Sequence, residues 1–402
     1  MSPHPPSNLE PNVLVIGAGP AGSAAARLLA QQGWSVRLID QHPLGRDKVC
    51  GDGLIPDAHR ALARLGLLTT VMAQAQRVQH VGFVGPRGGR VDVPGHLAVL
   101  PRQQLDEILA RAAVDAGAQF EQARYEAPLR DGDRVVGAQL RDASGTLREQ
   151  PARWTLLATG AQPRALQAAE LCLRQGPSAV ALRAYVHAPS LVGRINALEI
   201  VMSRALRPGY GWIFPAPGGR FNIGAGVANS HRGGRKKDVN LRQLFDHFVS
   251  SYAPAAQLMQ EGRLLGDLKG APMRCTLQGA QPSRPGLMVI GEAMGSTYDF
   301  TGEGIGKAME TALLAADALL AHGSDDGATR AAYERGLQAL APKYRMYERA
   351  NTMYQVPGLI DLLIWRAGKS ERLRQRMGRV LEETATPGDL ITLKGLVKLF
   401  TE

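Results

Sequence analysis

Residues 12–40 read NVLVIGAGPAGSAAARLLAQQGWSVRLID, and this stretch decides the fold. It begins with an apolar run at residues 12–16, continues through a glycine-rich turn into an alanine-rich segment, and ends with a second apolar run at residues 35–39. That order is typical of a strand, a helix and a second, parallel strand, which together form the unit of the Rossmann fold. We therefore predict that the chain begins, from about Asn12, with a dinucleotide-binding α/β unit.

The turn between the first strand and the helix has the full Gly-x-Gly-x-x-Gly spacing. Gly17 permits the tight turn, Gly19 lets the backbone approach a pyrophosphate, and Gly22 permits close packing of the helix. Asp40 follows Gly22 by eighteen residues and ends the second strand, where its carboxylate can accept hydrogen bonds from ribose hydroxyls. These four residues predict a site for the ADP half of a dinucleotide, and by themselves they do not choose between NAD and FAD.

Length and composition indicate a large enzyme that is neither secreted nor embedded in a membrane. The 402 residues, 45% hydrophobic and 21% charged, suffice for one two-lobed enzyme or two modest domains. Residues 1–11 contain four prolines and no apolar run, so we expect a disordered leader and not a signal peptide. No uncharged apolar run reaches the roughly 18 residues of a spanning helix. Three widely spaced cysteines fit a reducing cytoplasm and give no zinc-ligand spacing, so we expect a cytoplasmic protein without a metal site.

An excess of 47 basic over 36 acidic residues gives a formal charge of +11, which favours anionic partners. Because the chain has no basic-aromatic interleaving and no nucleic-acid module, we expect a cofactor or a lipid and no nucleic acid. Two apolar segments with basic residues, 357–379 and 390–400, lie near the C-terminus. Each suits either an interfacial helix on an anionic membrane surface or an ordinary helical cap whose charges face water. Peripheral membrane contact is therefore left open.

Four further segments are compatible with dinucleotide binding. A helix is predicted from Pro101 to about Gly117, and apolar strands that end at turns are predicted at residues 154–160 and 287–292. The glycine-rich residues 300–306 precede an alanine-rich helix. Since these segments recur over three hundred residues, we expect the nucleotide-binding domain to be discontinuous in sequence.

Together these elements resemble the flavoprotein superfamily that contains para-hydroxybenzoate hydroxylase, and within it the geranylgeranyl reductase family of FAD-dependent oxidoreductases. The resemblance covers about residues 12–320 and is strongest at residues 48–54 (KVCGDGL) and 209–215 (GYGWIFP). Bacterial menaquinone reductases of that family look similar at Cys-Gly-Asp-Gly-Leu. The resemblance implies an α/β fold: a Rossmann-type FAD-binding domain with an interleaved β-sheet substrate domain and a helical C-terminal region.

The implied domain boundaries follow from the positions of these segments. We expect the FAD-binding domain to comprise residues 12–75, 98–165 and 280–330, and the substrate-binding domain residues 76–97 and 166–279. Residues 331–402 are expected to form the helical C-terminal region.

The resemblance also implies FAD as the cofactor and names the residues that hold it. These are Gly17, Gly19, Gly22, Asp40, Lys48, Arg102, Gly291, Glu292, Gly302, Gly304 and Ile305. The sequence departs from the family at two places. Glu292 stands where the family has an aspartate, and residues 296–300 (STYDF) replace a segment that commonly carries an Asn-Pro pair. We expect an altered hydrogen-bond register at the first and altered substrate or redox behaviour at the second.

Cys50 is the candidate catalytic residue. Reduction of an isolated alkene needs a hydride from reduced flavin and a nearby acid that protonates the other carbon. In the family the matching cysteine lies beside the flavin, and the basic neighbours Arg46 and Lys48 are expected to lower the pKa of the thiol. The alternative is a small packing residue in a glycine-rich loop.

Three aromatic residues are candidates for substrate binding. Tyr210, Trp212 and Phe214 alternate along a predicted strand, so their rings should project from one face and wall an apolar cavity over the flavin. Core packing is the alternative. Glu303 is expected either to orient the backbone beneath the flavin ring or, more simply, to cap the helix that follows.

The leading functional hypothesis is an FAD-dependent reductase of carbon-carbon double bonds in an isoprenoid or similarly apolar substrate. NADPH or ferredoxin is expected as a transient electron donor, because no second complete glycine motif is present. The alternatives are an aromatic monooxygenase or other tailoring flavoenzyme of the same fold, and a flavin-bound protein without turnover.

Overall fold

The computed structural model describes residues 12–228, 239–351 and 356–385. The expected leader and the second basic segment, residues 390–400, lie outside the described residues. The strands of the described part are β1 (Val13–Ile16), β2 (Val36–Asp40), β3 (Gly53–Leu54), β4 (Gln76–Val84), β5 (Arg90–Val99), β6 (Gln119–Gln122), β7 (Arg124–Asp131), β8 (Arg134–Arg141), β9 (Leu147–Pro151), β10 (Trp154–Leu157), β11 (Ala179–His187), β12 (Leu198–Val201), β13 (Gly209–Ala216), β14 (Arg220–Ala228), β15 (Arg263–Leu264), β16 (Lys269–Met273), β17 (Ser283–Arg284) and β18 (Leu287–Val289).

The α-helices of the same residues follow in chain order. They are α1 (Pro20–Gln31), α2 (Pro56–Arg64), α3 (Leu68–Gln74), α4 (Arg102–Asp115), α5 (Arg164–Ala168), α6 (Leu241–Ser251), α7 (Ala253–Glu261), α8 (Ile305–His322), α9 (Asp326–Ala350), α10 (Pro357–Lys369) and α11 (Glu371–Leu381). Single 3₁₀ turns occupy Pro189–Leu191 and Gly291–Ala293. The predicted α/β fold class is confirmed, as are the strand-helix-strand unit at the start and the helix at Arg102.

The first sheet has six strands in the order β17-β18-β10-β1-β2-β6. The five strands from β18 to β6 are parallel, and β17 is an antiparallel edge. Strands β1, β10 and β18 are buried throughout, as expected of parallel strands covered by helices. The chain runs outward from β1 to β2 and β6 and then returns to β10 on the other side of β1. This reversal opens a crevice at the carboxyl ends of β1 and β10, where such folds bind their ligands.

The second sheet has the strand order β15-β11-β14-β13-β12-β4-β5-β3, and β16 also pairs with β11. One face is apolar and packs on α6 and α7 around Ile213, Ile223 and Phe248. Gly211 permits this contact, since a Cβ there would lie 2.4 Å from the ring of Phe248. The side chains of alternate positions therefore point to the opposite face, where they contact Gly51 and the apolar side of α10. Strand β3, which follows Cys50 closely, joins the edge of this sheet by pairing with β5.

Strands β7, β8 and β9 form a separate antiparallel sheet that the sequence patterns did not predict. It lies beside the first sheet, because the backbone N–H of Val135 donates to the carbonyl of Pro285 at 2.8 Å. Gly286 is required at this contact: its φ is 73°, and a Cβ would lie 2.0 Å from the carbonyl oxygen of Val135.

The C-terminal helices cover the edge of the second sheet. Helix α9 begins at Asp326, where Asp325 caps it by accepting from the N–H of Ala328 at 3.0 Å. Position 331, the expected start of the helical region, therefore falls inside α9. Helices α10 and α11 pack on β5 through an apolar cluster that includes Val93, Ile364 and Leu373. Across the described ranges, we find no helix with the length and apolarity needed to cross a membrane.

Candidate active site

The glycine turn after β1 is shaped by close backbone contacts. The φ of Gly17 is 107°, and a Cβ there would lie 2.4 Å from the carbonyl oxygen of Ala158. A Cβ at Gly22 would lie 1.8 Å from the carbonyl oxygen of Gly17, so a side chain would push α1 off the turn. A Cβ at Gly19 would meet nothing nearer than Nη2 of Arg102, 3.9 Å away, which leaves room in front of the turn. A pyrophosphate would meet this room at the amino end of α1.

Asp40 fixes the same turn from the end of β2. Its Oδ2 accepts the backbone N–H of Ala18 at 2.8 Å, and its Oδ1 accepts the N–H of His42 at 2.9 Å. Arg46 lies 3.9 Å from Oδ1. A carboxylate has about four acceptor sites, so Asp40 retains capacity for ribose hydroxyls.

Arg102 is the first residue of α4 and is held rigidly beside Gly19. Its Nε and Nη2 each donate to one carboxylate oxygen of Asp106 at 2.7 Å, and both side chains are buried. This bidentate pair aims the guanidinium along the amino end of α4.

Residues from three distant segments meet at Gly291. Its φ is 64°, a Cβ would lie 2.6 Å from Cβ of Ala21, and its N–H donates to Oγ1 of Thr311 at 2.8 Å. The next residue, Glu292, accepts from Nζ of Lys48 at 3.0 Å, beside Gly160. The two predicted cofactor side chains are therefore brought together, and the glutamate that departs from the family pattern is the partner of Lys48.

These features fit FAD. The open space before Gly19 suits a pyrophosphate, Asp40 ends the second strand of the unit, and Arg102 supplies a fixed positive charge. The backbone close to Gly291 lies on the same side of the first sheet, at the carboxyl end of β18.

The loop that carries Cys50 is held by Asp52. The φ of Asp52 is 66°, and its carboxylate is fully buried. It accepts the N–H of Arg102 at 3.1 Å, the amide of Asn222 at 2.7 Å and the hydroxyl of Tyr185. Burial raises the pKa of Asp52 to about 6, although these donors oppose the shift. One carboxylate thus ties the loop to α4, β11 and β14.

The three predicted substrate aromatics share one face of β13. The ring centroids of Tyr210 and Trp212 are 6.1 Å apart, and those of Trp212 and Phe214 are 6.4 Å apart. A Cβ at Gly51 would lie 3.2 Å from the ring of Phe214 and 3.7 Å from Nε1 of Trp212. The aromatic face and the Cys50 loop are therefore in contact, which the sequence could not establish.

Asn222 joins this face to the loop. Its Oδ1 accepts from Nε1 of Trp212 at 2.9 Å, and its Nδ2 donates to the carbonyl of Cys50 at 2.7 Å as well as to Asp52. Asn222 pairs with Phe214 in the register of β13 and β14. Its amide is thus satisfied on both sides and orients the indole of Trp212.

The structure contradicts the expectation that the Cys50 thiol has a lowered pKa. Burial raises the pKa of Cys50, and this outweighs the opposing charges of Arg102 and Lys48 and the N–H of Asp52. Arg46, the other expected cation, lies beside Asp40 instead. At neutral pH the residue is a thiol that carries its proton.

The turn before α8 places the remaining predicted cofactor residues. Gly302 has a φ of 71°, and a Cβ there would lie 2.9 Å from the hydroxyl of Tyr210. A Cβ at Gly304 would lie 2.7 Å from Oγ1 of Thr297, and Ile305 begins α8. Gly302 and Gly304 therefore face Tyr210 and the loop at residues 296–300, next to the aromatic face.

Glu303 does not cap α8, so the simpler expectation is wrong. The residue at the cap position is Gly304, and α8 has no side-chain cap. Oε2 of Glu303 is shielded from solvent and has no hydrogen-bond partner within the part of the chain that the structure describes. Burial raises the pKa of Glu303 to about 8, and the nearby charges of Asp57 and Glu383 add to the shift. The side chain is therefore an acid that holds its proton at neutral pH.

Sequence reasoning missed Asp52, Tyr185 and Asn222 as parts of the site. Asp52 lies in the KVCGDGL segment, which the sequence singles out, but nothing in that segment indicates the hydrogen bonds that Asp52 accepts. Tyr185 and Asn222 carry no local signal, because their roles depend on the pairing of β11, β13 and β14.

Comparisons with known proteins agree with this geometry. A family model described as an FAD binding domain matches residues 10–199. Over 323 residues the chain is 33% identical to a menaquinone reductase of Mycobacterium tuberculosis, covering 77% of this chain and 76% of that protein. Over 302 residues it is 30% identical to a digeranylgeranylglycerophospholipid reductase of Methanopyrus kandleri, covering 74% of each. A solved geranylgeranyl bacteriochlorophyll reductase-like protein of Thermoplasma acidophilum has a TM-score of 0.73 at 20% identity, covering 98% of this chain and 96% of that one.

The matched domain and the fold define an FAD-dependent oxidoreductase. The chain belongs to the geranylgeranyl reductase family, together with the menaquinone reductases.

The raised pKa of Glu303 predicts a pH-dependent effect of Glu303→Gln. The folded protein holds a proton that the unfolded chain releases above its ordinary pKa of 4.5, so the stability that this group contributes falls as the pH rises from 4.5 to about 8 and is constant above that. The amide cannot ionise. We expect the stability of Glu303→Gln relative to the natural protein to increase between pH 5 and pH 9 by on the order of 4 kcal/mol, at about 1.4 kcal/mol per pKa unit.

Thermal unfolding at both pH values measures this difference. Glu149→Gln, at an exposed position on β9, is the matched control. Its stability relative to the natural protein should be the same at both pH values. If the difference in stability between Glu303→Gln and the natural protein is the same at pH 9 as at pH 5, ionisation of Glu303 does not lower the free energy of unfolding and the prediction is wrong.

Proposed function

We propose that this protein reduces carbon-carbon double bonds of an isoprenoid chain, and that Cys50 supplies the proton. One arrangement carries the proposal: the loop of a protonated, partly buried thiol is fixed against the face of Trp212 and Phe214 and beside Arg102. An apolar wall, an acid and a cofactor site are what the reduction of an isolated alkene requires.

FAD, when bound and reduced, supplies the hydride that adds to one carbon of the double bond. The chain's own residues account for the proton that the other carbon receives. The thiol of Cys50 gives up its proton, and the positive charge of Arg102 and the N–H of Asp52 stabilise the thiolate that is left. Solvent protons then restore the thiol, so each reduced bond gains one hydride and one proton.

The substrate class is argued from the site and from the relatives. Tyr210, Trp212 and Phe214 present an apolar surface, which suits a hydrocarbon chain better than a charged metabolite. The relatives are named reductases of menaquinone and of digeranylgeranylglycerophospholipid. We therefore propose a prenylated lipid or prenylquinone as the substrate.

The electron donor is proposed to be NADPH or ferredoxin, bound only transiently. The sequence has one complete Gly-x-Gly-x-x-Gly motif, at Gly17, Gly19 and Gly22, and we assign that motif to FAD. A second resident dinucleotide would need a second such site.

An anaerobic assay tests the function and the role of Cys50 together. Enzyme reduced with dithionite should be reoxidised by a prenylquinone, and mass spectrometry should find a product heavier by two hydrogen atoms per reduced bond. We expect Cys50→Ala to slow reoxidation about a hundredfold, a typical contribution of a general acid, with FAD content unchanged.

Cys172→Ala is the control, because the Cys172 thiol donates to the carbonyl of Arg174 away from the aromatic face. The proposed function fails if no prenylquinone or prenyl lipid reoxidises the enzyme. The proposed role of Cys50 is wrong if Cys50→Ala is reoxidised as fast as Cys172→Ala.

We also propose that the surface around Trp365 docks the protein on an anionic membrane, as a prenylated substrate would require. Trp365 is 52% exposed at the outer side of α10. Nζ of Lys369 lies 4.6 Å from its ring centroid, and the guanidinium of Arg366 lies 5.8 Å from it. An indole flanked by cations suits the headgroup level of a negatively charged bilayer.

Vesicle sedimentation tests this surface. Binding to vesicles that contain phosphatidylglycerol should weaken with added salt, and Trp365→Ala should reduce it about tenfold. Leu173→Ala, which removes another exposed apolar side chain, should have no effect. Equal binding by the two variants would rule out the Trp365 surface.

A further inference from the structure

A buried group of charged side chains lies behind the turn at residues 298–304, outside the residues assigned to cofactor and substrate. Lys307 is at its centre, with a side chain that is 1% exposed. Its Nζ lies 3.5 Å from Asp57, 2.9 Å from Glu310 and 2.9 Å from Glu383. A lysine so deeply buried is stable only while its carboxylate partners stay in place.

Glu383 reaches this group from the end of α11. Its backbone φ is 56°, in the left-handed region that non-glycine residues rarely adopt, and its side chain is 3% exposed. Besides Lys307, its carboxylate contacts Lys343 at 3.0 Å, Arg60 at 2.6 Å and the hydroxyl of Tyr298 at 3.1 Å. Burial opposes ionisation, but the charges of Lys307 and Lys343 outweigh it and lower the pKa of Glu383. Four donors, which are distant from Glu383 in sequence, thus hold its carboxylate.

Two of these donors flank the turn that carries Gly302 and Gly304. Tyr298 precedes the turn: its N–H donates to the carbonyl of Glu303 at 2.9 Å, and its carbonyl accepts from Gly302 at 3.0 Å. Lys307 follows the turn, in the first turn of α8. Glu383 therefore holds the turn at both ends.

The same residue is continuous with the helices that border the substrate face. Helices α10 and α11 pack on β5, and their apolar cluster extends to Tyr210 and Phe300. Displacing α11 would withdraw the carboxylate of Glu383 and leave the buried charge of Lys307 with fewer carboxylate partners. Moving the turn would also be unfavourable, because it would break the same contacts of Glu383 with Tyr298 and Lys307.

We propose that Glu383 is a positioning residue that couples FAD binding to the docking of α10 and α11. It acts through Tyr298 and Lys307, and by reciprocity bound FAD strengthens the docking of α11. The inference rests on the proposed assignment of Gly302, Gly304 and Ile305 to the cofactor. It does not depend on which substrate is reduced.

Two measurements on Glu383→Gln test the coupling. Release of FAD after dilution of the holoenzyme, followed by flavin fluorescence, should be about tenfold faster than in the natural protein, within the usual range of coupling between sites. In the natural protein, hydrogen exchange of α11 should be slower with FAD than after FAD is stripped. In the variant this difference should disappear.

Glu382→Gln is the matched control, since Glu382 is the adjacent residue and contacts only the exposed His96 at 3.5 Å among the ion pairs of the described residues. It should behave as the natural protein in both measurements. Tyr298→Phe removes one hydrogen bond and keeps every ion pair, so it should fold and release FAD about two- to threefold faster.

The coupling is overturned if Glu383→Gln releases FAD at the rate of Glu382→Gln while only its melting temperature falls. Glu383 would then anchor α11 and nothing more. If Glu383→Gln does not fold, an unchanged FAD release rate in Tyr298→Phe overturns it. Neither result bears on the reoxidation of reduced enzyme by prenylquinones, which tests the proposed function separately.

Discussion

The arrangement of the site depends on the buried carboxylate of Asp52. It receives hydrogen bonds from Tyr185 on β11, Asn222 on β14 and the backbone of Arg102 at the start of α4. Those donors belong to two neighbouring strands of the second sheet and to a helix that borders the cofactor site. Leaving such a buried acceptor unsatisfied is costly, so the carboxylate fixes the position of the loop between them. The aromatic face and the cofactor side consequently meet at Cys50.

This constraint explains why the thiol at Cys50 keeps its proton at neutral pH. The packing of the loop against Phe214 and Trp212 partly shields Cys50 from water, and this burial disfavours the charged form of the thiol. Arg102 is close enough to stabilise a thiolate once it forms, but its own charge is already engaged by Asp106. In the reaction proposed above, this thiol would release its proton only when a carbon acceptor is present.

Local signals were sufficient for the nucleotide-binding unit and for the aromatic face. The spacing of Gly17, Gly19 and Gly22 can be interpreted from residues that are close in sequence. The alternation of side chains along a strand is likewise enough to place Tyr210 and Trp212 on one face. Asn222 and Asp52 are 170 residues apart in sequence, so the hydrogen bond between them depends on how the Cys50 loop packs on the second sheet, which no local pattern encodes.

The errors have the same origin. Lys48 and Arg46 are close to Cys50 in sequence, but the pKa of the thiol is set by burial, which is a property of the assembled structure. Glu303 precedes a helix and so suggested a cap, whereas its side chain is enclosed near charges from α2 and from the end of α11. The three-stranded sheet of β7, β8 and β9 lies within a segment assigned to the FAD-binding domain and has no motif of its own.

The role of Asp52 is tested most directly by the chemical reactivity of Cys50. Asp52→Asn keeps the size of the side chain but replaces one acceptor oxygen by a donor, which the hydroxyl of Tyr185 and the amide of Asn222 cannot both satisfy. Alkylation by iodoacetamide, mapped by peptide mass spectrometry with Cys172 and Cys275 as internal references, should be slow at Cys50 in the natural protein. It should be at least about tenfold faster in Asp52→Asn, because the loop is released to solvent. A folded Asp52→Asn protein whose Cys50 reacts at the natural rate would contradict the account.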